Sequence, residues 1–472
     1  MSTRREFLRK AGLGLASGAF GLSLLSRCFM EEAYGITPDP ALQKYDAVLT
    51  LWFEGGPGQT DTFDPKPGST SNIFPTINLG ANDIYGNPIA ITNLMPSLAN
   101  LFTNDPAIKL GIVRSLTHGN ELHTLAQTWM NCFWQSPVAN LYPSTAAVMA
   151  YLLKDSAALK IPSVMIVGKP TDNPCCAGQG GPNGDDCNTA KGGTCPTAFT
   201  VFNSGDAVKM LSLPAGIDAV RYGRRRQIID GLNAGFYAEK PDAVLPAWDN
   251  AWKQAADITT SGKAAKAFDL TGKTLLPGGS GADPDILKQL TLAQELIKAG
   301  VPYVSCGITG NDTHSGNRDP VTQIWSGLVD PAVSALCANL KATGKRVLIL
   351  LGGEFGRNPS DVASGRDGRD HWGSGFSWAL ISINQPAFKQ TAVGNTGPDG
   401  LWTTGTTPAL VDPIAPGALG GLVYRSMGFA VGSDPSVNIP TVNGMASPVE
   451  PVLGSAPGRL NAPWLLQQFG LG

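Results

Sequence analysis

The chain is short of charge, of histidine and of long apolar runs. Only 15% of its 472 residues are charged, against about a quarter in an average globular protein. Lys and Arg number 35 and Asp and Glu 37, a formal net charge of -2. That balance provides neither the basic field that a nucleic-acid partner needs nor an acidic tail. Beyond the N-terminal segment no stretch is apolar over the about 20 residues that span a bilayer. Paired Cys-x-x-Cys spacing, internal repeats and heptads are also missing, which excludes a zinc ribbon, a solenoid and a coiled coil. Histidine occurs only 4 times, so the place of each one is informative.

Gly and Pro are abundant instead, at 57 and 36 residues, well above their average combined usage of about 12%. With 42% hydrophobic residues, the chain folds rather than staying disordered, and it carries many turns and long loops. A core of ordinary size is easily built at this length.

The start, Arg4-Arg5-Glu6-Phe7-Leu8 and then an apolar run from Ala11 to Ser26 interrupted by Gly and Ser, reads as a twin-arginine export signal over residues 1–35. Export through that machinery places the mature chain in the periplasm or at the cell surface. It also makes disulfides accessible to the 8 Cys. Cys175, Cys176, Cys187 and Cys195 crowd a Gly-, Asn- and Pro-rich stretch, which reads as a stapled surface insertion at about 172–196. Its Gly-Pro-Asn-Gly-Asp-Asp run lacks the ordered ligand ladder of a calcium loop and is better taken as solvated. Cys132, Cys306 and Cys337 lie in apolar surroundings and read as buried thiols. Residues 40–472 are read as a single domain.

Continuous apolar runs at 47–53, 108–113, 163–167, 301–306, 346–351 and 378–382 predict strands covered on both faces. Helical patterns at 120–134, 215–233, 285–299 and 331–343 alternate with them. The alternation predicts an α/β fold, a doubly wound mixed sheet with helices on both faces. Arg224-Arg225-Arg226 reads as a solvated face of one helix.

In such sheets ligands bind beyond the carboxyl ends of the strands. Those ends run into Glu54, into Thr117-His118 and His123-Thr124, into Asp312-Thr313-His314, and into Glu354-Phe355-Gly356-Arg357, followed by Arg369-Asp370-His371. Every His thus falls near a carboxylate. Oxygen and imidazole ligands suit zinc, manganese, iron or calcium. The candidate ligands are Glu54, His118, Asp312, His314, Glu354, Asp370 and His371. Asp312 and His314, at i and i+2 of an extended segment, project to one side. Arg357 or Arg369 could clamp a phosphate or sulfate. Each residue also has a plainer reading: a hydrogen-bonded structural His, a helix-capping Glu54 or Glu354, and an Asp370 that only orients His371.

On these residues the chain resembles an exported bacterial family, domain-of-unknown-function family 1501, regarded as sulfatase-like within the alkaline phosphatase superfamily. The matching text includes Leu51-Trp52-Phe53-Glu54-Gly55-Gly56-Pro57, Asp312-Thr313-His314, Gly353-Glu354-Phe355-Gly356-Arg357 and Gly368-Arg369-Asp370-His371-Trp372. The resemblance implies a phosphatase-like α/β fold with one or two divalent metals, and an anionic ester or sulfated glycan as substrate. By position Glu54 looks like the first acidic ligand, Asp312, His314 and His371 like one metal triad, and Glu354 like the acid of a second site. Phe355 stands where the superfamily usually has His, so a second site would need carboxylates, His118 or His123. The region that holds the superfamily's nucleophile corresponds to 117–124, which makes Thr117, Thr124 and His123 candidates. The sulfatase motif Cys-x-Pro-x-Arg is missing. The implied activity is hydrolysis of sulfate or phosphate esters; the alternative is an inactive exported binding or scaffold protein with a structural metal, and a calcium-stabilised adhesin is a third.

Overall fold

The computed structural model describes residues 38–133, 144–153, 161–168, 199–201, 212–213, 215–239, 256–401, 414–429, 438–440, 446–448 and 462–472. The export signal and the Cys-rich insertion lie outside the described residues. So do the cysteines expected to form disulfides.

In chain order the strands that concern the site are β1 (Ala47–Phe53), β2 (Thr76–Asn82), β3 (Pro88–Thr92), β4 (Ile108–Leu116), β5 (Val164–Val167), β6 (Phe199–Val201), β7 (Tyr303–Ile308), β8 (Val347–Gly352), β9 (Gly356–Arg357), β10 (His371–Trp372), β11 (Phe376–Ile383) and β12 (Thr391–Val393). Eight of them form one sheet in the order β12-β4-β11-β8-β1-β7-β5-β6. Only β11 runs antiparallel to its neighbours β4 and β8; the remaining pairs are parallel. The carboxyl ends of the parallel strands therefore share one edge, and β11 begins at that same edge.

The continuous apolar character of β1 has the expected cause. Leu49, Leu51 and Phe53 enter one core, while Val48 and Trp52 enter the other. A central strand is dry on both sides, so it shows no polar alternation. On the first face pack the helices Pro96–Asn104, Pro284–Ala299 and Asp330–Lys341, through residues such as Leu98, Leu296 and Leu336. On the second pack His123–Cys132, Thr145–Leu152, Pro416–Ser426 and Ala462–Gln468, through Met130, Met149, Leu422 and Leu465. Each such fully buried Leu or Met contributes about 1.5–3 kcal/mol. The chain is thus the expected α/β fold, a mixed sheet wound on both faces.

Local chemistry fixes the element ends. Pro284–Ala299 starts where the Asp283 carboxylate accepts from the Asp285 amide, has Pro in its first turn, and stops at Gly300 with φ of 102°. The helix expected from Asn120 starts only at His123. The reason is that His118 Nδ1 accepts from the Asn120 amide at 3.1 Å and Asn120 Oδ1 accepts from the Leu122 amide at 2.8 Å. These bonds hold 118–122 as a turn. Cys132, Cys306 and Cys337 are buried thiols, as their surroundings suggest. Among the described residues no helix is long and apolar enough to cross a membrane.

Candidate metal centre

Four segments leave the carboxyl edge of the sheet and meet. The exit of β1 is tied to that of β7 by backbone: the Glu54 amide donates to Ile308 O at 2.9 Å, and the Asn311 amide donates to Glu54 O at 3.2 Å. Gly55 follows with φ of 101°, and a Cβ there would overlap the backbone of Asp312. Gly368 likewise admits no Cβ, because it lies against the carbonyl of His314. Glycine at these two places lets the segments carrying Asp312, His314 and His371 approach one another.

Beneath them lies a buried ion pair. Arg369 Nε and Nη2 donate to the two Asp61 carboxylate oxygens at 2.8 and 2.9 Å, with neither side chain exposed. Asn317 Nδ2 donates to Asp61 Oδ2 at 3.0 Å, Thr313 Oγ1 donates to Asn317 Oδ1 at 2.5 Å, and the Arg369 amide donates to Thr313 O at 2.9 Å. This network locks the β7 exit against the β9–β10 hairpin.

Above it, His123, Asp312, His314 and His371 converge, each offering one ligand atom, with all four atoms within 4.8 Å of one another. His314 Nε2 lies 2.8 Å from His371 Nε2 and 3.2 Å from Asp312 Oδ1. His123 Nε2 lies 3.4 Å from Asp312 Oδ2. The outward nitrogens each face an oxygen. His371 Nδ1 donates to the Glu121 carbonyl at 2.6 Å, which fixes its tautomer and leaves Nε2 with a lone pair. His123 Nδ1 donates to Glu354 Oε1 at 2.8 Å. His314 Nδ1 stands 3.5 Å from Asp370 Oδ1. Imidazoles that bind metals show this arrangement, the far N–H held by a carboxylate or carbonyl while the near nitrogen points inward.

Two buried atoms lack a hydrogen-bond partner here, His123 Nε2 and Glu354 Oε2. An inward nitrogen without a donor or acceptor suits a cation. Spacing agrees: ligand atoms about 2.0–2.1 Å from a tetrahedral zinc stand about 3.4 Å apart. Three imidazoles and one carboxylate therefore fit a divalent ion of the zinc type.

Electrostatics sharpen the set. Burial disfavours protonation of His123, but the Glu354 carboxylate, helped by Asp312, outweighs it and raises the pKa. Burial, with His123 and Arg357 nearby, lowers that of His371. Burial also opposes ionisation of Asp312, yet its hydrogen bond to Arg357 prevails and its pKa falls.

The other expected residues have different tasks. His118 is not in the cluster: Nε2 donates to Glu354 O at 2.6 Å and Nδ1 accepts from Asn120, so both nitrogens are engaged. Burial takes its pKa down to about 4. Glu354 is fully buried behind His123, its Oε1 also accepting from the Gly55 amide at 2.9 Å and from Gln127 at 3.2 Å. Glu54 contributes its backbone to the site and is not one of the converging groups. Asp370 sits behind His314 and accepts from the His371 amide at 2.8 Å. Neither arginine is placed as an anion clamp. Arg369 gives its remaining donors to the carbonyls of Ser71, Asn358 and Pro359. Arg357, also fully buried, donates to the carbonyls of Gly55, Gly56 and Arg369 and to Asp312 Oδ1 at 2.6 Å. It therefore holds one carboxylate oxygen of Asp312 and leaves the other towards His123. The hydroxyl of Thr117 donates to Gly373 O at 3.1 Å, while Thr124 is exposed on the first turn after His123. Phe355 packs its ring 4.9 Å from His123 and 4.5 Å from His371.

Sequence reasoning missed the Glu121 carbonyl, Gln127 and the Asp61–Arg369 pair. A backbone acceptor carries no residue signature, and a partner hundreds of positions away has no local one.

Comparison with known proteins adds three findings. No curated protein matches the chain. The crystal structure of the C-terminal periplasmic domain of EcEptC from Escherichia coli, in complex with Zn, is similar at 9% identity and a TM-score of 0.39, over 84% of this chain and 87% of that one. Residues 45–381 match the family described as "Protein of unknown function (DUF1501)", and the chain belongs to that family.

Proposed function

We propose that this chain is an exported, divalent-metal-dependent hydrolase of sulfate or phosphate esters, acting on a small anionic ester or a sulfated glycan in the periplasm or at the cell surface. The observation that carries the reading is the inward convergence of His123, His314 and His371 on Asp312, with each outer nitrogen facing Glu354, Asp370 or the Glu121 carbonyl. A divalent ion held by these four residues supplies Lewis acidity towards an ester oxygen and acidifies water.

The chain's own groups do the rest. Glu354 and Asp370 raise the basicity of His123 and His314 as ligands. Arg357 restrains Asp312 to one free oxygen. The helix His123–Cys132 has no side-chain cap and no acid in its first turn, so its N-terminal amides favour an anionic group beside the cluster. Thr124, exposed on the first turn of that helix beside His123, is the hydroxyl nucleophile of this reading. Charge developing on the ester oxygens would be met by the cation and the helix terminus, since both arginines are engaged elsewhere.

A second reading is an inactive binding protein that keeps a structural metal. Phe355 favours it, because its ring occupies space against His123 and His371 where the resemblance implies a ligand. One panel separates the two readings: aryl sulfates and aryl phosphates offered to metal-loaded protein, metal-stripped protein and Thr124→Ala. The hydrolase reading expects turnover that disappears on stripping and falls by orders of magnitude in Thr124→Ala. Metal bound with no turnover on any substrate favours the binding protein, and turnover unchanged by stripping contradicts both.

A further inference from the structure

The charges gathered around the metal centre restrict the anions it can hold. The segments that meet there, residues 118–124, 309–317, 354–357 and 368–372, carry two basic side chains besides histidine, Arg357 and Arg369. Arg369 is neutralised by Asp61, with which it shares two hydrogen bonds. Arg357 is fully buried and bonded to Asp312 at 2.6 Å. Next along the chain, Arg366 pairs with Asp361 at 3.1 Å and Arg318 donates to Ile73 O at 3.1 Å. Against the one charge of Arg357 stand three carboxylates: Asp312 in the cluster, Glu354 behind His123 and Asp370 behind His314. With neutral imidazoles, one positive and three negative charges leave two negative, which a divalent ion brings to zero. What remains for an arriving anion is direct contact with that ion and the terminus of the helix His123–Cys132, equivalent to about half a positive charge.

We propose that the centre selects esters whose transferred group carries one negative charge, sulfate esters or phosphodiesters, over dianionic phosphate monoesters, and that Asp370 is a specificity-determining residue. The inference rests on the hydrolase reading and narrows its substrate class. One negative charge is matched by the ion and the helix terminus. A second charge on the same group finds no cation among the segments described, and it meets a carboxylate at the rim. That carboxylate is Asp370, whose side chain is 55% exposed, whereas Glu354 is fully buried behind His123. Asp370 accepts from the His371 amide at 2.8 Å and faces His314 Nδ1 at 3.5 Å. Arg366 also acts on it electrostatically, but its guanidinium is committed to Asp361. A like charge set beside a binding site discriminates by repelling the wrong ligand rather than by attracting the right one.

Calorimetric titration of the zinc-loaded full chain at mildly alkaline pH tests it with three probes that contain no bond to hydrolyse. Benzenesulfonate and methyl(phenyl)phosphinate carry one negative charge each, and phenylphosphonate carries two. Both monoanions are expected to bind about fivefold tighter than the dianion, the effect of one unmatched unit charge near contact in a water-like dielectric. Tighter binding of the sulfonate assigns sulfate esters, and tighter binding of the phosphinate assigns phosphodiesters. Asp370→Asn keeps an acceptor for the His371 amide and should narrow the gap between monoanions and dianion roughly threefold, with zinc still at one ion per chain. The ranking in the parent decides the matter on its own. Phenylphosphonate bound as tightly as the monoanions, or a gap unchanged in the variant, would overturn the inference and leave the hydrolase reading standing. If no probe binds the zinc-loaded chain, the hydrolase reading falls and the inference with it.

Discussion

His118 and His123 flank one short turn and have opposite electrostatics. His118 is buried against Phe376 and Trp129, gives its Nε2 proton to a carbonyl, and titrates only near about 4. His123 faces two carboxylates and its pKa is raised. The linkage for His118 runs in one direction. An unfolded imidazole takes up a proton below about 6.5, whereas the folded one stays neutral until about 4. Stability is therefore greatest above that window and falls as pH drops through it, by at most roughly 3 kcal/mol. His118→Gln keeps a donor for the Glu354 carbonyl and removes the titration. Urea midpoints between pH 6.5 and 4 should accordingly flatten in the variant relative to the parent; parallel curves would show that His118 is not the group responsible.

At the level of elements, the β9–β10 hairpin and the β7 exit are held together by groups that never touch a ligand. Arg369 and Asp61 are both fully buried and doubly bonded. Removing one member of such a pair strands a charge in the interior, at a cost of about 3–5 kcal/mol. Arg369→Met should therefore lose about that much in denaturant unfolding, and adding Asp61→Asn should recover part of it. An anion-clamp role predicts the reverse pattern, near-native stability with weakened substrate binding. A second element of this kind is the π-helix Gln323–Val329. It projects Trp325 into a stack on Phe53 with ring centroids 4.7 Å apart, and Trp325 Nε1 donates to Asn311 Oδ1 at 3.3 Å beside Asp312. Wide turns of this type often carry side chains that serve a site.

Across the whole molecule, the sheet was legible wherever burial on both faces leaves a continuous apolar run. All six expected strands occur within three residues of the expected bounds, because a dry central strand has a composition that no loop shares. The β2–β3 hairpin was not legible, since Asn78, Gly80 and Asn82 dilute its apolar pattern. Asp312, His314 and His371 were legible as candidates because scarce histidines beside acids at strand exits are an uncommon pattern. The opposed roles of His118 and His123 were not, for both lie in the same exit and only the 118–122 turn decides which ring faces inward. The buried tasks of Arg357 and Arg369 were equally hidden, as their acceptors are carbonyls and acids contributed by distant strands. One measurement bears most directly on the centre: zinc titration of metal-stripped protein, read by X-ray absorption, in the parent and in His314→Ala with His371→Ala. The expected result is one ion per chain with three imidazole nitrogens and one oxygen in the parent, and no stoichiometric binding in the variant. A parent that binds no divalent ion, or a variant that binds it unchanged, would contradict the account.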